Sequence, residues 1–201
     1  MDVKKAILCV ILLNLSYFII EFFSAYRIGS ASLFADSIDF LEDSAINTII
    51  FFSVSWSLKY RLRLSIFLAL LILIPGLTAL WAIGQQLINK SYPDSFDLSL
   101  VGFGALIINL LCIKILFRFQ NDKESLYRAA FLSAKTDILS NLAIITAGIF
   151  LYFYPSMWPD ILVALFIVII NFDASFKVYK SVQNQKKKLY FLNLCKTLII
   201  S

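Results

Sequence analysis

Four acids, Asp36, Asp39, Glu42 and Asp43, fall within eight positions of one apolar run. At about 100° per residue, Asp36, Asp39 and Asp43 occupy roughly a 60° arc of a helix. Asn47 extends the same stripe, and Glu42 stands about 60° beyond Asp39. An acid at the centre of a bilayer costs about 2.5–3.5 kcal/mol on insertion scales. Four in one span therefore mark a function. Asp39 and Asp43, one turn apart, can offer oxygens to a single cation. A second oxygen-bearing stripe follows at Ser133, Asp137 and Asn141, each four residues from the last, with Ser140 close by. The chemistry implied is cation coordination by hard oxygens, which suits Mn²⁺ or Fe²⁺ better than Zn²⁺ with its preference for softer ligands. Protons compete for such a site, because only ionised carboxylates ligate.

Other chemistries find no support. The chain has no histidine, which excludes Ser-His-Asp, Cys-His and His-ligated metal mechanisms within it. Cys9, Cys112 and Cys195 show no CxxC pairing and read as core or lipid-facing thiols. No nucleophile–base pair is visible, and an enzyme is not expected.

The elements that must position the two stripes are membrane spans. Of 201 residues, 60% are apolar, and the mean hydropathy is +0.84, too apolar throughout for a soluble domain. Runs of roughly 20 apolar residues recur, each long enough to cross a bilayer core. They predict six helices, at about 6–28, 31–57, 64–88, 98–117, 124–152 and 160–178. Pro75-Gly76 predicts a kink in the third. Residues 1–182 form one six-helix domain, followed by a basic and apolar tail at 183–201 that is too short to span.

Lys4, Lys5, Lys59, Arg61, Arg63, Arg118, Lys123, Arg128, Lys177, Lys180 and Lys186 to Lys188 all fall on one side of this arrangement, with only Arg27 and Lys90 on the other. The positive-inside rule places both termini in the cytosol. The basic clusters read as topology signals and anionic-lipid contacts, with no nucleic-acid partner expected. On these spans Asp39 lies about 14 Å from the outer end of its helix and Asp137 about 20 Å from the inner end of its own. The two depths sum to about one bilayer thickness, so the stripes can meet near the midplane.

Lys135 lies roughly 160° around the helix from Asp137 and is expected to pair with Glu42 or Asp36. Asp36 is that partner or a proton carrier. Glu21 and Asp173 read as pairing groups inside the bundle, and Asn47, Asn109, Asn141 and Asn171 as interhelical hydrogen-bonding residues. A purely structural reading, in which the acids pair with Lys135 and polar neighbours, leaves surplus negative charge that a cation resolves.

Ser30-Ala-Ser-Leu-Phe-Ala-Asp-Ser-Ile-Asp39-Phe-Leu-Glu-Asp43 resembles the second-helix signature of the cation diffusion facilitator family, S-x-x-L-L-A-D-A running into H/D-x-x-x-D. Arg128-Ala-Ala-Phe-Leu-Ser133-Ala-Lys-Thr-Asp137 resembles the fifth-helix motif, A-x-x-H/D-x-x-x-D. Asn14, Glu21 and Trp158-Pro159-Asp160 fit the same picture, and the resemblance covers about residues 6–182.

The resemblance implies a six-helix homodimeric transporter that exports a divalent metal ion from the cytosol in exchange for protons. It implies a ligand set of Asp39, Asp43, Ser133 and Asp137. Asp36, Glu42, Lys135, Asn141 and Asn47 are then candidates for proton-handling or supporting roles. The metal is cargo, with Mn, Fe, Zn, Co and Cd all admitted, and no permanently bound cofactor is expected. The expected setting is a bacterial inner (plasma) membrane. Two departures stand out. Ser133 replaces the usual His or Asp, and the cytosolic metal-binding domain that usually follows the sixth helix is missing. They motivate a rival reading, a degenerate non-transporting relative that serves as a structural or regulatory membrane partner.

Overall fold

A computed structural model describes residues 3–53, 67, 73–117, 125–170 and 172. The described chain is all helical, with no strand. The helices are α1 (Val3–Ile28), α2 (Ala31–Ser53), α3 (Leu73–Asn89), α4 (Ser95–Leu116) and α5 (Ser125–Phe153), followed by α6 (Trp158–Ile170). The six-helix expectation holds. The basic loops at 59–63 and 118–123, the far part of the sixth span with Asn171 and Asp173, and the tail at 183–201 lie outside the described residues. So does the chain leading into Pro75-Gly76. Pro75 itself lies within the helical stretch described from Leu73.

Lys4–Ile28, Ser95–Leu116 and Ala134–Phe153 are each long and apolar enough to cross a membrane. The 23-residue α2 is long enough too, but carries four acids. Its polarity is turned inward. Asn14, Glu21, Asp36, Asn47, Asn109 and Asn141 are buried, whereas Leu12, Ile20, Phe103, Leu139 and Ile169 are exposed. This inversion of the soluble pattern is what lipid as solvent requires.

Two residues, Gly29 and Ser30, turn the chain between α1 and α2. Gly29 adopts φ 70°, a left-handed conformation that costs glycine little. The backbone N–H groups of Gly29 and Ser30 both return to the Ala25 carbonyl, at 2.9 and 3.2 Å. Ser30 then caps α2, its hydroxyl accepting from Leu33 N at 3.1 Å. Asp94 does the same for α4, accepting from Phe96 N and Asp97 N. This cap starts α4 at Ser95, earlier than the apolar run that begins at Leu98. At the same end of the bundle Arg27 and Asp97 form an exposed ion pair at 2.7 Å. Tyr26, Tyr92, Tyr152, Tyr154 and Trp158 stand exposed there as well, as interfacial aromatics do.

α2 is the central strut, packing against α1 along its length and against α3, α4 and α5. α4 and α5 form the other close pair. Their closeness depends on small residues. A Cβ at Gly148 would lie 3.0 Å from Ser99 backbone N, and one at Gly102 would lie 2.7 Å from Ile144 Cγ2. Two apolar clusters enclose the polar interior. One joins Ala25, Leu33, Ala79, Leu98, Ile144 and Ile167 near the aromatic end. The other joins Ile7, Val10, Cys112, Leu116 and Ala134 near the opposite end.

Candidate cation site

Between those clusters Asp36, Asp39, Phe40, Asp43, Asn109 and Asp137 line one narrow pocket, too tight as it stands to admit a water molecule. Four of the six come from α2, through the helical repeat of positions 36, 39/40 and 43. Asn109 comes from the middle of α4 and Asp137 from α5. Asp39 and Asp43 are buried, and Asp137 is partly so. The two acidic stripes therefore reach a common space inside the bundle. Among the described residues no three Asp, Glu or Cys side chains are drawn together tightly enough to form a ready-made ligand cluster. Like charges in a low-dielectric setting keep such groups apart.

Ser133 lies on α5, but its side chain is outside the described residues. Glu42 is partly buried and does not line the pocket. Lys135 is exposed, and the expected pairing with Glu42 or Asp36 is not made. The reason is rotational. Asp137 faces the pocket, so Lys135, about 160° away on the same helix, faces outward.

Asn47 and Asn141 are buried beyond the pocket lining. Asn47 donates its amide to the Asp43 carbonyl at 2.8 Å, within its own helix. Its Oδ1, and both amide atoms of Asn141, have no hydrogen-bond partner among the described residues. Neither makes the interhelical bond expected from the sequence. Asn14 does accept one, from Cys112 Sγ at 3.4 Å, which joins α1 to α4.

Three features of the site were not expected. Asn109, read as an interhelical hydrogen-bonding residue, lines the pocket with an Oδ1 that no described donor reaches. That is a neutral oxygen of the kind hard cations accept. Phe40 forms an apolar wall and packs on the Tyr17 ring, with centroids 5.1 Å apart. The Tyr17 hydroxyl donates to the Val101 carbonyl, so α1 and α4 are bonded together beside the pocket. Finally, Glu21 is fully buried, as is Asp36. Among the described residues no N–H or O–H donor reaches any of their four oxygens.

The arrangement can attract a cation into a dry interior and hold it with oxygens from three helices. No curated protein matches the chain. The family model described as the cation efflux transmembrane domain matches residues 7–183. The chain therefore belongs to the cation efflux, or cation diffusion facilitator, family, and its membrane-spanning domain is that of metal-cation transporters.

Proposed function

We propose that this protein exports a divalent metal ion from the cytosol, exchanging it for protons at the pocket between α2, α4 and α5. The observation that carries the reading is the convergence of Asp36, Asp39, Asp43 and Asp137 on one narrow pocket. So much negative charge in an apolar bundle calls for a mobile counter-charge. Asp39, Asp43 and Asp137 supply hard oxygens, Asn109 a neutral one, and Ser133 the position where relatives of this family place His or Asp. Mn²⁺ and Fe²⁺ fit such a set better than Zn²⁺. Proton exchange follows from the ligands themselves, since protonation releases the metal. The distribution of Lys and Arg supports cytosolic termini, and with them export from that side. The family resemblance supports a homodimer and a bacterial inner membrane.

The test is metal-dependent proton flux in liposomes loaded with the full chain. Asp43→Ala and Asp137→Ala should each remove transport while leaving the helical content intact. The loss should exceed the roughly 10–100-fold that follows removal of an outer hydrogen-bonding partner at a metal site. Wild-type flux in both variants would rule the site out. Wild-type protein that carries neither metal nor protons would favour the non-transporting reading that Ser133 motivates.

A further inference from the structure

Asp160, in the first turn of α6, is fully buried and is not part of the pocket lining. Its carboxylate accepts five hydrogen bonds. Oδ1 accepts from the Ser30 hydroxyl at 2.8 Å, from Ser32 N at 3.3 Å and from the Ser32 hydroxyl. Oδ2 accepts from Ala31 N at 2.7 Å and from Gln86 Nε2 at 3.0 Å. Three helices meet on this one group: α2 through residues 30–32, α3 through Gln86, and α6, which bears it.

The bonds complete the first turn of α2. A helix start leaves its leading N–H groups without partners in the helix. Here Ala31 and Ser32 donate to Asp160, Leu33 donates to the Ser30 hydroxyl, and Phe34 donates to the Ser30 carbonyl at 3.2 Å. α2 has no acid in its own first turn. The negative charge that favours a helix N-terminus is instead supplied from 128 to 130 residues away. Ala31, Ile83, Ile161 and Ala164 pack together beside it, so the junction is held by apolar contact as well.

α2 is also the helix that brings most of the acids to the pocket. Asp39 and Asp43 lie about 12 and 18 Å along its axis from Ala31. A rigid helix fixed at its first turn carries both at a set depth and rotation. We propose that Asp160 is a positioning residue for the cation site: it pins the start of α2 to α3 and α6, and so sets how Asp39 and Asp43 face Asn109 and Asp137. The inference rests on the cation-site reading above.

Mn²⁺ binding to the purified full chain tests it, with affinity and number of sites measured separately. A residue that only stabilises the fold changes the fraction of competent protein and leaves the affinity of that fraction unchanged. A positioning residue changes the affinity. Asp160→Asn keeps one acceptor oxygen but turns an amide toward Ala31 N–H and Gln86. It should bind Mn²⁺ about tenfold more weakly at unchanged helical content. Adding Gln86→Glu gives the introduced amide an acceptor and restores the charge, and should recover part of the loss. Wild-type affinity in folded Asp160→Asn overturns the inference. If Asp160→Asn does not fold, Gln86→Leu and Ser32→Ala each remove one donor, and should weaken binding about threefold, the effect of roughly half a hydrogen bond. Wild-type affinity in both overturns the inference equally. Asp43→Ala separates the two readings. If it abolishes binding while the Asp160 series leaves affinity untouched, only the positioning role fails. If Asp43→Ala itself binds like wild type, the cation site fails and the inference falls with it.

Discussion

Glu21 of α1 and Asp36 of α2 are both buried in the interior, and no described donor reaches any of their four oxygens. An amide in place of either carboxylate supplies the missing donor. Glu21→Gln should therefore stabilise the bundle by about 1.5–3 kcal/mol, the range for a hydrogen bond to a charged acceptor. Asp36→Asn should act similarly, and the double variant should gain less than the sum by at least about 0.5 kcal/mol. Thermal unfolding in detergent reads both effects. Additive changes would mean that the two groups do not interact.

Asn109 is a neutral oxygen among acids. If its Oδ1 helps hold the ion, Asn109→Leu should weaken Mn²⁺ binding severalfold, since it removes an acceptor of roughly one hydrogen bond's worth. Asn109→Asp should strengthen binding at neutral pH, and that gain should shrink as pH falls and protons compete for the added carboxylate. Titrations of both variants at two pH values are sufficient. Equal affinity in wild type and Asn109→Leu would remove Asn109 from the ligand set.

Ser133 stands where the family resemblance places His or Asp. Installing histidine there should complete a His-x-x-x-Asp stripe with Asp137, and imidazole nitrogen suits Zn²⁺ at about 2.0–2.1 Å. Ser133→His should raise Zn²⁺ affinity more than Mn²⁺ affinity. Neutral imidazole is the ligand, so the gain should be present above about pH 6.5 and fade below it. An unchanged Zn²⁺ to Mn²⁺ preference would place the remaining ligand elsewhere, at Asn109 or in water.

Much of this architecture was legible in the sequence. Apolar runs set the six helices, and a repeat of 3.6 residues sets which side chains share a face. Asp39, Asp43 and Asp137 could therefore be expected to point at one another before any contact was known. What escaped was whatever depends on partners distant in sequence. Asp160 was read only as the start of a helix, although it caps a different one. The hint was present in Ser30-Ala31-Ser32, a helix start rich in donors with no acid of its own. Asn109 looked like any other buried amide, because nothing local distinguishes an amide that bonds a neighbour from one whose oxygen is left facing a pocket. Lys135 was misjudged by charge counting. Its position around α5 turns it outward, and a long basic side chain can satisfy itself at an exposed surface.

The two-residue corner at Gly29-Ser30 has a consequence for how the protein is made. With its four acids, α2 is a poor candidate to leave the translocation machinery for lipid unaided. Yet it follows α1 with no slack, and the two pack along their lengths. A corner this short favours entry of the pair into the bilayer as a helical hairpin, the strongly apolar α1 beside its acidic neighbour. A longer linker at this corner should weaken that coupling. The shortness of the turn thus bears on biogenesis as well as on shape.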